Sequence, residues 1–320
     1  MKTIGVLTSG GDAPGMNAAI RAVTRSALAA GYKVCGIRKG YEGVLDQDYQ
    51  LLDDSSVSDI MQRGGTMLRT ARSERFMTEE GLTLALQNIK DARIDAIVVI
   101  GGDGSMRGAQ KLQEAGVPVF CLPGTIDNDL AYTDFTIGFD TAVNTVLDSI
   151  GNIRDTSSSH DRTTIVEVMG RNCGDIALMA GLAGGAESIL IPEETADLEA
   201  VYQKLIKRHS EGKVHSIIIR AEGFCVSTEE LADQIERNTG IQSRTVVLSY
   251  IQRGGTPTAF DRLLASRMGY KAVELFRAGI HGRAIGISRG TIIDLDLKDA
   301  LEVEKQYDDS NIKLAEILSL

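Results

Sequence analysis

Three turns constrain this chain more than any other feature. Each follows a run of mostly apolar residues, and each combines glycine with an acid. They are Gly10-Gly11-Asp12-Ala13-Pro14-Gly15, Gly101-Gly102-Asp103-Gly104-Ser105 and Pro123-Gly124-Thr125-Ile126-Asp127-Asn128-Asp129. The runs before them, 3–8, 94–100 and 117–122, suit strands covered on both faces, as in parallel sheets. Helical patterns follow at 16–30 and from the second turn to about residue 115. Further strands are expected at 164–169, 188–191, 215–221, 245–251 and 284–288. Val143, Val146, Leu147, Ile150 and Ile153 repeat at helical spacing, so 140–154 reads as one amphipathic helix. The polar stretch 155–160 reads as a linker or loop. Alternation of strand and helix predicts a doubly wound α/β architecture with mostly parallel sheets.

In such sheets ligands bind beyond the carboxyl ends of strands, which is where these turns fall. The first could present backbone N–H groups and a helix N-terminus to an anion. It is neither a Walker loop, since Met16 and Asn17 stand where Lys and Ser/Thr are needed, nor a GxGxxG dinucleotide turn. In the second, the Asp103 carboxylate among glycines would be a hard oxygen ligand for magnesium. In the third, carboxylates at i and i+2 can divide roles, one taking a proton from an alcohol. Each turn alone also has a plain structural reading, as a glycine link or an Asx turn. Together they describe a cradled nucleotide, a metal-binding acid and a general base, the equipment of phosphoryl transfer.

Composition narrows the alternatives. A length of 320 residues, 43% apolar and 24% charged, suits two domains and excludes a disordered or fibrous chain. A net charge of -10 argues against nucleic-acid and anionic-membrane binding, and 5% aromatics without tryptophan argues against base stacking. Glycine is abundant at 34 and proline scarce at 5, which favours close backbone approach over linkers. Cys35, Cys121, Cys173 and Cys225 form no CxxC, so they are expected to be reduced and mostly buried, with no zinc site. No leader pattern and no spanning run is legible, and a cytoplasmic location is expected.

The chain resembles the bacterial ATP-dependent 6-phosphofructokinases over essentially its whole length. The resemblance rests on residues 7–17, the two later turns, Val168-Met169-Gly170-Arg171 and Ile251-Gln252-Arg253-Gly254-Gly255. It implies two lobes with the active site in the cleft between them: a nucleotide lobe at 1–138 plus 251–301, and a sugar-phosphate lobe at 139–250 plus 302–320. The implied reaction is transfer of the γ-phosphate of Mg-ATP to the 1-hydroxyl of fructose 6-phosphate, a glycolytic step. Gly11, Arg72, Ser73, Gly102, Asp103, Gly104 and Ser105 would hold ATP, with Asp103 on Mg2+. Asp127 would be the general base, while Thr125, Arg171 and Arg72 would position and stabilise the transferring group. Thr125, Ile126, Asp127, Met169, Gly170, Arg171, Glu222, Tyr250 and Arg253 would hold the sugar phosphate. Arg162 and Arg244 would reach it from a neighbouring subunit of a homotetramer.

Two departures matter. The resemblance places histidine where Tyr250 stands; a phenol donates a hydrogen bond but cannot become cationic, so weaker or less pH-sensitive sugar-phosphate affinity is expected. An effector site for ADP or phosphoenolpyruvate would involve Arg21, Arg25, Arg154, Gly185, Glu187 and Lys213. However, Glu211 stands where an arginine is usual, Asp54 where some members carry one, and Val214 replaces a further often-basic position. At about 4 Å and an effective dielectric near 20, a like-charge contact costs about 4 kcal/mol before screening. Weak or absent regulation is therefore expected. Pyrophosphate-using relatives carry Asp at the position of Gly104 and Lys at that of Gly124, so glycine at both favours ATP. The rival readings are a pyrophosphate-dependent phosphofructokinase, a catalytically idle sensor of sugar phosphate or nucleotide, and a nicotinamide oxidoreductase.

Overall fold

The first apolar run forms a strand, β1 (Thr3–Ser9), and the first glycine turn leads into a helix, α1 (Met16–Ala29). In this computed structural model residues 1–160, 162–213, 215–305 and 310–318 are described; Val214 lies outside them. In chain order there follow β2 (Lys33–Ile37), α2 (Gly40–Leu45), β3 (Tyr49–Leu52), α3 (Glu79–Asp91), β4 (Ala96–Gly101), α4 (Asp103–Glu114), β5 (Val119–Pro123), α5 (Phe139–Ser158), β6 (Thr163–Val168), α6 (Asp175–Ala183), β7 (Ser188–Leu190), α7 (Leu198–Ser210), β8 (Ser216–Ala221), α8 (Thr228–Thr239), β9 (Ser243–Val247), α9 (Ala259–Ala278), β10 (Arg283–Ser288), β11 (Thr291–Asp296), α10 (Leu297–Glu302) and α11 (Ser310–Leu318).

Two compact units emerge. The first holds Met1–Ile126, Leu130–Thr141 and Arg253–Lys305; the second holds Asp127–Asp129, Ala142–Gln252 and the described residues from 310 on. Besides the short 127–129 excursion, the chain changes unit after Thr141, after Gln252 and after Lys305, where the resemblance implied 138, 250 and 301.

The first unit is built on a seven-stranded sheet, β11-β10-β5-β4-β1-β2-β3. Its inner strands run parallel, and antiparallel β3 and β11 close the edges. Every residue of β4 and β5 is buried, which explains their unbroken apolar character. Between β1 and β4 the strand order reverses, the place where doubly wound sheets open a crevice. Ser9 pairs in register with Gly101, and Gly101 with Pro123. The turns after β1, β4 and β5 therefore leave the sheet side by side along one edge.

The second unit carries a four-stranded parallel sheet, β7-β8-β6-β9, over a core that includes Ile165, Leu205, Ile218, Phe224 and Leu231.

Two expectations are corrected. Residues 155–158 continue α5 rather than forming a loop. Their serines find partners: the Ser158 hydroxyl donates to the Asp155 carbonyl within the helix, while buried Ser157 shares a hydrogen bond with Thr164 of β6. The strand expected at 245–251 ends at Val247. Ser249 takes a left-handed φ of 47°, which breaks the extended run, and Ser249–Arg253 coils as a 3-10 turn. All four cysteines are free thiols, but Cys225 is exposed and Cys35 half-buried, leaving only Cys121 and Cys173 buried. No helix among the described residues is long and apolar enough to cross a membrane.

Candidate active site

In the first unit, α1 starts from Gly15, whose φ of 106° is one that side-chain-bearing residues rarely adopt. Four residues earlier, Gly11 has a different reason to be glycine. The Arg253 guanidinium lies against it, and a β-carbon there would overlap Nη1. The structure thus brings together the glycine read as a nucleotide contact and the arginine read as a sugar-phosphate contact. Arg253 Nε is buried without a hydrogen-bond partner among the described residues.

The second turn becomes the first turn of α4, with Gly102 at its cap. Helix geometry leaves the first N–H groups of α4 without intrahelical partners. A β-carbon at Gly104 would meet nothing within 4 Å, so space is open beside those donors. Ser105 is buried, and its carbonyl accepts from the Tyr41 hydroxyl. The Asp103 carboxylate, 39% exposed, pairs with Arg107 one turn on at 2.8 Å. Exposure and a hard oxygen donor fit magnesium held by one carboxylate and phosphate oxygens, with Arg107 sharing the charge.

Arg72 is exposed, and its side chain has no partner among the described residues. The Ser73 hydroxyl is already engaged, donating to Glu42 Oε1 at 2.8 Å and accepting from the Phe76 N–H at 3.1 Å. In the third turn, Thr125 is half-buried and Ile126 is part of the core. Gly124 is crowded: a β-carbon would lie 2.9 Å from Ile100 Cγ2 and 3.2 Å from Met16 Cε.

In the second unit, the Asp127 carboxylate, 2% exposed, meets Arg171 Nε at 3.2 Å. The two follow β5 and β6, strands that belong to different sheets. Arg171 itself has a left-handed φ of 54°, and Gly170 before it a φ of 141°. A β-carbon at 170 would overlap the Cys173 carbonyl, so glycine is required. Glu222 holds this bend, since its Oε1 accepts from the N–H of Gly170 at 3.1 Å and of Arg171 at 2.7 Å. Met169 is fixed by fully buried Gln252, whose Oε1 accepts its N–H at 3.0 Å. Sequence reasoning quoted Gln252 within a motif but gave it no role; its place beside Arg253 was the available signal.

Arg162 and Arg244 line one cavity of about 570 Å³, with His160 and Thr164 also in its wall. Arg162 Nε is buried there with no hydrogen-bond partner among the described residues. Tyr250 is 77% exposed. Among the described residues, one group has metal-ligand spacing: Cys173, Asp175 and Glu193. Its carboxylates are engaged by the protein, Asp175 with Asn128 and Glu193 with the Gly174 N–H.

The effector residues come from both units. In the first unit Arg25 Nε lies 4.0 Å from Asp54, and Arg21 is half-buried. In the second, Arg154 donates to the carbonyls of Gly184 at 2.7 Å and Gly185 at 3.0 Å. Buried Glu187 faces Lys213 at 3.0 Å and Arg208 at 3.9 Å, and accepts from the Ile217 N–H. Glu211, at the end of α7, is exposed.

Against known proteins, residues 3–276 match the family described as Phosphofructokinase. A protein of Alkaliphilus metalliredigens named ATP-dependent 6-phosphofructokinase is 56% identical over 320 residues, covering all of both chains. A Clostridium botulinum protein of the same name is 56% identical over 319 residues, again covering all of both. Among solved structures, phosphofructokinase from Saccharomyces cerevisiae superposes with a TM-score of 0.88 at 36% identity; the match covers 94% of this chain and 45% of the yeast one. A pyrophosphate-dependent phosphofructokinase from Marinobacter aquaeolei shares the fold, with a TM-score of 0.84 at 23% identity, over 100% of this chain and 91% of that one.

Proposed function

The chain belongs to the phosphofructokinase family, and from that footing we propose how its residues divide the work of an ATP-dependent 6-phosphofructokinase. The enzyme transfers the γ-phosphoryl group of ATP to fructose 6-phosphate, giving fructose 1,6-bisphosphate and ADP. Asp127 takes the proton from the sugar 1-hydroxyl, a role worth about 10²–10⁴ in rate. Arg171 pairs with Asp127 at rest. As the carboxylate gains a proton and loses its charge, the guanidinium becomes available to the negative charge spreading over the phosphoryl oxygens. Thr125 and Arg72 complete the positioning of that group.

A magnesium ion bound with ATP would be held by the Asp103 carboxylate and would supply positive charge that offsets the phosphates. The open space over Gly104, beside the free N–H groups of α4, is the observation that carries the choice of donor. An acidic side chain at 104 would fill that space and repel a nucleotide's phosphates, whereas glycine admits them. Gly11, Gly102, Ser105 and the 72–73 segment complete the nucleotide contacts.

Met169, Gly170 and Arg171, with Ile126, Tyr250 and Arg253, take the sugar phosphate. Glu222 serves them by holding the 170–171 backbone. Arg162 and Arg244 are assigned to the sugar phosphate of a neighbouring copy in a homotetramer. A cytoplasmic location fits these substrates.

Coupled detection of ADP from Mg-ATP and fructose 6-phosphate, run beside pyrophosphate as donor, tests the reading. Turnover with ATP and little with pyrophosphate is expected; faster use of pyrophosphate overturns the donor assignment.

A further inference from the structure

The short segment from Arg171 to Asp175 grips the Asp127-Asn128 dipeptide at both of its side chains. Arg171 Nε reaches Asp127 Oδ2 at 3.2 Å. Asp175 Oδ2 accepts from Asn128 Nδ2 at 2.8 Å, across 47 residues of sequence. Between them the thiol of buried Cys173 points to the Asn128 carbonyl at 3.9 Å, a long and weak contact. Asn128 is 7% exposed and holds a left-handed φ of 53°. Asparagine tolerates that conformation better than most residues, but it persists only when its surroundings fix it.

The grip is itself rigid. The Cys173 N–H donates to the Gly170 carbonyl at 2.9 Å, closing the turn that starts at Gly170. The Gly174 N–H donates to Glu193 Oε1 at 2.7 Å, and a β-carbon at 174 would press on Ile191 at 2.5 Å. Asp175 then opens α6, so its carboxylate projects from a fixed helix end.

We propose that Asp175 is a positioning residue for phosphoryl transfer: by holding the Asn128 amide it keeps the left-handed turn that aims the Asp127 carboxylate. This rests on Asp127 being the base. Asn128 turns the chain immediately after Asp127, so loss of the Asp175 bond weakens the hold on the φ of 53° and shifts the carboxylate. A displacement of about 1 Å at a reacting group can cost about 10²-fold in rate.

The test uses the full chain and compares Asp175→Ala, Asp175→Asn and Asp127→Asn. For Asp175→Ala, kcat is expected to fall about 10–100-fold, with KM for ATP and for fructose 6-phosphate within about twofold. Asp175→Asn keeps an oxygen acceptor and should recover kcat to within about threefold, which a role for the charge or for α6 stability alone would not give. If Asp175→Ala does not fold, the exchange decides: Asn128→Asp alone should lose kcat, and adding Asp175→Asn, which reverses donor and acceptor, should restore it. Unchanged kcat in Asp175→Ala, a rise in KM at constant kcat, or equal loss in Asp175→Asn overturns the proposal. Inactive Asp127→Asn beside fully active Asp175→Ala removes the positioning role alone; fully active Asp127→Asn removes the base and this proposal with it.

Discussion

The Arg253 guanidinium lies against Gly11, filling the space a side chain at that position would take. Because the crowding atom is the end of a flexible side chain rather than backbone, Gly11→Ala should displace Arg253 without unfolding the protein. The melting temperature is expected to change little, while KM for fructose 6-phosphate rises about tenfold or more, the scale of one lost charge-assisted phosphate contact. Steady-state kinetics and thermal melting on one preparation check this; unchanged KM would refute it.

Glu222 is expected to act through backbone. Glu222→Ala leaves the N–H groups of Gly170 and Arg171 without their acceptor. The part-buried Gly170 N–H would be orphaned at a cost of about 1–3 kcal/mol, while the exposed Arg171 N–H can turn to water, so stability should fall modestly and sugar-phosphate affinity with it. Glu222→Gln keeps an acceptor oxygen and should retain most of both. Measured KM for fructose 6-phosphate separates the pair, and equal losses would point to a role for the charge instead.

Asp261 gives stability a pH dependence. Burial pushes its carboxyl up to about 6, against hydrogen bonds from the Thr141 hydroxyl, Gly138 N–H and Thr141 N–H that favour the charged form. The folded value exceeds the unfolded one, so this stabilising contribution is complete below about 3.8 and is lost as pH rises through about 6. The change is on the order of 2–3 kcal/mol, at about 1.4 kcal/mol per unit. Denaturant unfolding at pH 4 and pH 7 should show it in the wild type and not in Asp261→Asn. Parallel slopes would count against it.

Regulation is expected to be weak. Arg25 already faces Asp54, and Lys213 and Arg208 already face Glu187. An incoming phosphate would compete with carboxylates of the chain itself. Millimolar ADP or phosphoenolpyruvate should shift the apparent affinity for fructose 6-phosphate less than about threefold, and Asp54→Ala should enlarge the response by freeing Arg25. Strong inhibition by phosphoenolpyruvate, relieved by ADP, would contradict this.

The fully buried strands were legible because burial on both faces leaves an apolar run with no competing pattern, whereas interior β2, with exposed Lys33 and half-buried Cys35, was missed. β1, β4 and β5 appear where expected, with ends shifted by one or two residues. The edge strands of the first sheet gave no such signal. β3 alternates poorly with only Leu52 buried, and β11 is half-exposed. The misread end of α5 shows the limit of composition: serines read as turn formers until hydroxyl-to-carbonyl bonds within the helix are visible. The glycine and acid turns announced themselves through spacing. Contacts such as Asn128 with Asp175, or Gly11 with Arg253, join residues 47 and 242 positions apart, and only the strand order of a folded sheet can bring them together.

The tight packing around Gly124 couples donor preference to the interior of the sheet. Ile100 of β4 and Met16 of α1 occupy the room that a longer side chain there would need. A lineage, or a protein engineer, moving toward a different phosphoryl donor could not begin at this position alone. A substitution at 124 would first lower stability, so a smaller neighbour at 100, the tightest contact at 2.9 Å, would have to come before it or arrive with it.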